Sequence, residues 1–230
     1  LCDSVTQKTN LDPALMRRVL YALARNDGGA ASIETLARDT LHGEEPTSAD
    51  RAAVTNYLSY LEQNYLIRNV GGWDAPVKSR ARTRTKPKRY LVDPSLTAAL
   101  LGYDAQRLLW DRQLLGILFE SLCMRDLSAC LCASTRLRQP SLFSYRDAYG
   151  LEADVVIELL DGRWAALEIK LDSTKADPAA ANLLRLREKV ASNPLAQNPE
   201  PVFLGVIAAN APFLFRRPDG VYVIPAGCLG

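Results

Sequence analysis

Apolar positions in the first hundred residues recur at helical spacing. Met16, Val19, Leu20 and Leu23 follow the i, i+3, i+4, i+7 order of one buried helical face. A Gly28-Gly29 break follows, then Ser32 in N-cap position ahead of Ile33, Leu36 and Ala37. A third helix opens near Ser48 and carries Val54, Tyr57, Leu58 and Leu61 on one side. The pattern then becomes β-type over 65-YLIRNV-70, which ends at Gly71-Gly72, and over 89-RYLVD-93. Asp93 is placed to cap a short helix with Pro94 in its first turn, Leu96, Ala99 and Leu100 on its apolar side, and Gly102 at its end. Residues 103–110 predict a connector, so a domain boundary is expected at 102.

After residue 110 the pattern changes. The segment 111–126 is apolar on nearly every side, which predicts a largely buried helix with Glu120 in its middle. A buried carboxylate needs a cation or a hydrogen-bonding partner. The runs 141–147, 151–159 and 164–171 predict three strands, 175–191 a helix with Leu183, Leu184, Leu186 and Val190, and 202–208 and 221–224 two further strands. The expected fold class is α/β, α+β overall. Residues 1–102 have the element order of a winged helix, and residues 103–230 that of a mixed sheet flanked by helices.

Charge adds a feature that the hydrophobic pattern does not contain. The chain has 28 Lys+Arg against 26 Asp+Glu. Removing the seven cations of 78-KSRARTRTKPKR-89 leaves 21 against 26, so the slight basicity comes from one segment. Lys78, Arg80, Arg82, Arg84, Lys86 and Lys88 fall at every second position, with Arg89 adjacent, and in an extended chain such positions share a face. Between the two predicted strands, this comb would form a wing or the rising edge of its second strand. DNA phosphates are the expected partner, contacted through charge rather than base sequence. The outward positions of the third helix, Arg51, Thr55 and Ser59, are poorly equipped for base reading.

Composition excludes more than it assigns. The 48% apolar and 23% charged content is that of an ordinary globular chain, and the longest apolar run, near 202–215, is short and broken by Pro212, so no membrane partner is expected. Five cysteines without paired zinc-ligand spacing read as free thiols in a reducing cytoplasm. The lone His42 lies in the polar run 42-HGEEPTS-48, which offers no Ser-His-Asp or Cys-His site. No G-x-x-x-x-G-K-[ST] loop occurs, so ATP hydrolysis is not expected of this chain by itself. It begins with Leu1 rather than Met, as a fragment of a longer protein would.

The candidate chemistry lies on two of the predicted strands. Period two puts Glu152, Asp154, Val156 and Glu158 on one face of the first, and Glu168 and Lys170 on one face of the next. Carboxylates level with one another on neighbouring strands make an oxygen-rich site for Mg²⁺ or Mn²⁺, with Asp154 and Glu168 as ligands. Lys170 beside them would orient or help deprotonate a water and neutralise a phosphate. Asp154, thirteen intervening residues, then Glu168-Ile169-Lys170, with Glu120 on a preceding helix, resembles the PD-(D/E)xK nuclease superfamily. That resemblance implies a restriction-endonuclease-like sheet with Glu120, Asp154, Glu168 and Lys170 as catalytic residues. Ala153 stands where the motif has proline.

A wider resemblance covers nearly the whole chain. The winged-helix order, 86-KPKRYLVDPSLTAALLG-102, 116-GILFE-120, 150-GLEADVVIEL-159 and 167-LEIK-170 are similar to the C-terminal half of prokaryotic AAA+-type ATPases that end in a nuclease-like domain. It implies an upstream P-loop ATPase domain as partner, with ATP bound only there. The expected function is a DNA-binding effector region with a Mg²⁺-dependent phosphodiesterase site. The alternatives are a non-catalytic DNA- or protein-docking module in which the four residues form a buried ion-pair cluster, and an interaction scaffold with an idle comb.

Overall fold

The computed structural model describes residues 11–74, 86–137 and 140–229, and the fold is α+β. The chain divides into two compact units, residues 1–69 with 86–121 and residues 70–85 with 122–230.

In the N-terminal unit, α1 (Pro13–Arg25), α2 (Ile33–Thr40) and α3 (Ser48–Gln63) bury the apolar faces expected of them. Met16, Val19, Leu20, Leu36, Ala37, Val54 and Leu61 meet in one core. Each helix begins on a side-chain cap: Asp12 accepts from Ala14 N–H, Ser32 from Thr35 N–H, and Thr47 forms a capping box with Asp50. Strands β1 (Ile67–Val70) and β2 (Lys88–Leu91) pair, and Gly29 adds an antiparallel bridge to Arg89. Helix α4 (Pro94–Leu101) ends at Gly102 with φ 72°, a left-handed turn that glycine adopts without steric cost. Residues 105–110, expected as a connector, form the short helix α5 (Ala105–Trp110), capped by Asp104 and without a buried residue. Its lack of an inward face explains why no periodicity announced it.

A buried acid holds these pieces together. Asp27 Oδ1 accepts from Leu91 N–H at 3.0 Å and Oδ2 from the Thr97 hydroxyl at 2.8 Å, joining the end of α1 to β2 and α4. Burial pushes its carboxyl above the ordinary range, and these hydrogen bonds pull it partly back. Thr97 is therefore the buried side chain of α4, whereas Ala99, expected inward, is exposed.

The C-terminal unit is a six-stranded mixed sheet in the order β3-β4-β5-β6-β8-β7. Strands β3 (Ser141–Arg146), β4 (Glu152–Glu158) and β5 (Trp164–Lys170) are antiparallel. Helix α7 (Ala176–Ala191) connects β5 to the parallel strand β6 (Leu204–Ala208). Strand β8 (Tyr222–Pro225) runs parallel to β6, and the two-residue β7 (Phe215–Arg216) closes that edge. Ala176, Ala179 and Ala180 bring α7 close to the sheet, with Leu183, Leu186 and Val190 continuing the seam. Gly205 is required in β6, because a Cβ there would lie 2.9 Å from Leu167 Cδ2. Strands β5 and β6 are buried almost throughout, the continuous apolar reading of covered parallel strands.

The division into units differs from the boundary expected at 102. Helix α6 (Arg112–Ala133) runs past the expected end at 126, and its first half is only partly buried. Residues up to Ser121 belong to the N-terminal unit and those from Leu122 to the C-terminal one. Residues 71–73 join the C-terminal sheet: Ser144 N–H donates to Gly71 O at 2.9 Å, and Trp73 N–H to Ser144 O at 2.7 Å. Trp73 is buried against Trp164, with ring centroids 4.9 Å apart, and meets Tyr145 edge-on. Two glycines ahead of an aromatic had the appearance of a hairpin turn, which hid this anchor.

Trp73→Ala is expected to cost about 3–5 kcal/mol, the usual range for emptying a buried aromatic site. The loss should appear as faster amide exchange in β3 and β5, with α1–α3 little changed. An equal effect on both units would mean that Trp73 does not belong to the C-terminal core.

Candidate active site

The site is built where β4 departs from regular pairing. Phe143 faces Val156 and Tyr145 faces Ala153, so β4 holds one more residue than β3 between those pairs. Ala153 and Val156 consequently both join the core beneath α7. This corrects the simple alternation, which put Val156 on the face of Asp154. The regular β4–β5 pairing ends at Val155 and Leu167. Beyond it the Asp154 side chain replaces a backbone acceptor, and its Oδ2 receives Ile169 N–H at 2.8 Å.

That turn of the chain assembles three ionisable groups. Lys170 Nζ donates to Asp154 Oδ2 at 3.2 Å and to Glu168 Oε2 at 2.5 Å. Glu168 is 2% exposed and stands in register with Val206 of β6. Asp172 and Asn210 brace the exit from β5: Asp172 Oδ1 receives Thr174 N–H and the Asn210 amide, and Asn210 Oδ1 receives Ser173 N–H at 2.7 Å. The sequence reading missed this brace, although 172-DST-174 carries the signature of an Asx turn.

Burial pushes the Glu168 carboxyl up to about 8, and the negative charge of Asp154 adds to the shift while Lys170 opposes it. For Lys170, burial works against the charged form, but Asp154 and Glu168 outweigh it and the ammonium is held above its ordinary range. Lys170 is thus a fixed cation, suited to orienting and neutralising a negative group. Glu168 Oε1 is buried with no hydrogen-bond partner among the described residues. Such an atom costs about 1–3 kcal/mol unless something else binds it.

Glu120 belongs to a different constellation. Its Oε1 accepts from Lys88 Nζ at 2.8 Å and from the Tyr90 hydroxyl at 2.7 Å, all within the N-terminal unit. A cation or a hydrogen-bonding partner is expected for Glu120, and Lys88 and Tyr90 supply one of each. Gly28 makes the room: a Cβ there would lie 3.2 Å from the Tyr90 ring. The comb is affected in turn. Lys88 pairs with Glu120, and Arg89, half-buried, donates to Ala31 O at 2.7 Å. Lys86 is exposed. Lys78, Arg80, Arg82 and Arg84 lie outside the described residues.

Profile comparison matches residues 3–107 to one domain of unknown function, DUF8612, and residues 115–229 to another, DUF4143. The second match spans half of the chain. The chain belongs to the DUF4143 family. DUF4143 is known in AAA-ATPase-associated proteins. No curated protein and no solved structure matched the chain. The DUF4143 region contains Asp154, Glu168, Lys170 and Glu120, while Lys88 and Tyr90 lie in the DUF8612 region.

Two carboxylates with an unsatisfied oxygen form a hard-oxygen donor set that fits Mg²⁺ or Mn²⁺, which keep several waters in such sites. Among the described residues, no group of three or more His, Cys, Asp or Glu side chains is arranged to hold a metal. No helix among them is long and apolar enough to cross a membrane.

Glu168 should impose a pH dependence on stability. Its proton stays on the folded chain up to about pH 8, whereas a carboxyl of ordinary value, 4.5, releases it earlier once unfolded. The folded state binds more protons between those values, so this contribution is full below the lower one and disappears as pH rises to the higher. The slope is up to about 1.4 kcal/mol per pH unit for one proton. Urea unfolding across the window should show the decline in wild type and its removal in Glu168→Gln. Identical slopes would mean that Glu168 ionises normally.

Proposed function

We propose that this chain is the DNA-binding effector region of an AAA+-type ATPase, with a Mg²⁺-dependent phosphodiesterase site of the PD-(D/E)xK kind in its C-terminal unit. The observation that carries this reading is the buried, unpartnered Oε1 of Glu168 beside a second carboxylate and a fixed lysine. A closed structural ion pair gains nothing from leaving that oxygen bare, whereas a ligating carboxylate needs it.

In this reading Asp154 and Glu168 hold the divalent ion, which when bound polarises a phosphoryl oxygen and acidifies a water. The remaining contributions come from the chain itself. Ile169 N–H fixes the Asp154 carboxylate at the end of β5. Glu168 gives up its proton when it becomes a ligand, so ligation strengthens as pH rises toward 8. Lys170, its side chain about one-third exposed, presents a permanent positive charge to a phosphate. Glu120 is left out of the chemistry and steadies β2. The order of three helices, the bridge through Gly29 and the β1–β2 pair support a winged helix in the N-terminal unit. Lys86 and the cations from Lys78 to Arg84 supply phosphate contacts. ATP enters only through the upstream ATPase domain.

A second reading is favoured by one specific observation. Lys170 already bridges Asp154 and Glu168, as in a self-contained ion-pair cluster of a non-catalytic docking module. Melting with Mg²⁺ or Mn²⁺ separates the two. A metal-binding site should stabilise the wild type by about 2.7 kcal/mol at a hundredfold excess over Kd. Asp154→Asn and Glu168→Gln should each abolish that shift and, with it, cleavage of DNA. A wild type that melts identically with and without millimolar Mn²⁺ leaves the docking module as the function.

The comb has its own test. Replacing Arg80, Arg82 and Arg84 with Ala should reduce the slope of log K against log salt by about 0.9 for each lost phosphate contact with duplex DNA. An unchanged slope would assign those arginines to solvent.

A further inference from the structure

A cavity in the N-terminal unit has no part in the chemistry above. It has a volume of about 610 Å³, within the range of roughly 300–1,000 Å³ usual for small-molecule sites. Its existence follows from how α1 is built. Met16, Val19, Leu20 and Leu23 turn inward, which leaves Ala14, Arg17, Arg18 and Tyr21 as a second stripe at i, i+3, i+4, i+7 outside the core. Opposite them α4 offers only the small, exposed Ala99 and the half-buried Leu100.

The lining combines an apolar floor with positive charge. Tyr21 is 43% exposed although its helix neighbours are buried, so its ring is a free wall of the cleft rather than core. Arg17 and Arg18 supply two guanidinium groups. Asp39 is the acid among the described lining residues, and its Oδ2 is engaged by the Asn26 amide at 2.7 Å, which is itself anchored on Ala22 O. His42 stands on the rim in the left-handed conformation, φ 58°, where the end of α2 sets it. A planar ring stacks favourably on tyrosine and guanidinium faces, and guanidinium groups bind carboxylate or phosphate oxygens through paired hydrogen bonds.

We infer that the cleft between α1, α4 and the end of α2 is a binding site for a small planar aromatic anion. This site stands independently of the phosphodiesterase reading, and either one stands if the other fails.

Two isosteric probes of opposite charge test it on the full chain. Titration with 1-naphthoate should produce saturable amide shifts confined to residues 14–21, 39–42 and 99–100. The cation 1-naphthylmethylamine should leave them unmoved. Arg18→Gln should weaken naphthoate about tenfold, the effect of one charge-assisted hydrogen bond. Ala99→Trp should block it by filling the cleft. Arg18 and Ala99 are both exposed, so both variants should melt like wild type. Equal response to the two probes, unsaturable shifts, or undiminished affinity in Arg18→Gln would each overturn the inference.

Discussion

In β4, two residues stand where β3 supplies one, and that insertion decides which side chains meet at the end of β5. Without it, Ala153 and Val156 would fall on opposite faces, and one of them would leave the core under α7. With it, Asp154 is released from the ladder and its carboxylate, rather than a carbonyl, receives Ile169 N–H. The acid is thereby fixed 3.2 Å from Lys170, which in turn reaches Glu168. Three ionisable groups are concentrated by one irregularity in a sheet that is otherwise apolar. Bulges commonly re-aim side chains in this way near functional sites.

Much of the fold could be read from spacing alone. The apolar stripes of α1, α2 and α3, the caps at Ser32 and Asp93, and the alternation from strand to helix to strand after residue 140 are local signals, and local physics decides them. The grouping of Asp154, Glu168 and Lys170 was legible for the same reason, since neighbouring strands bring nearby sequence together. What failed was everything that depends on which polar groups become partners. Glu120 needed a cation and a donor, but the sequence does not say that Lys88 and Tyr90 would reach it first. Thr97 gives no local signal of burial, because its partner, Asp27, lies seventy positions away. Trp73 was masked by the glycines ahead of it.

The two units solve the problem of buried charge differently. In the C-terminal unit, a lysine answers two carboxylates and one oxygen remains bare. In the N-terminal unit, Asp27 is satisfied by neutral donors, a backbone amide and a hydroxyl, and Glu120 by one cation and one phenol. An acid with both oxygens bonded, as in Asp27, locks neighbouring elements in register.

The path of the chain has a consequence for how such a protein can be taken apart. It passes from the N-terminal unit to the C-terminal one at residues 69–70, returns at 85–86, and crosses again within α6 at 121–122. Neither unit is a contiguous stretch of sequence. A cut at residue 102 would strip α5 and Glu120 from one unit while leaving Trp73 on the wrong piece. A cut at any single position therefore releases neither unit intact.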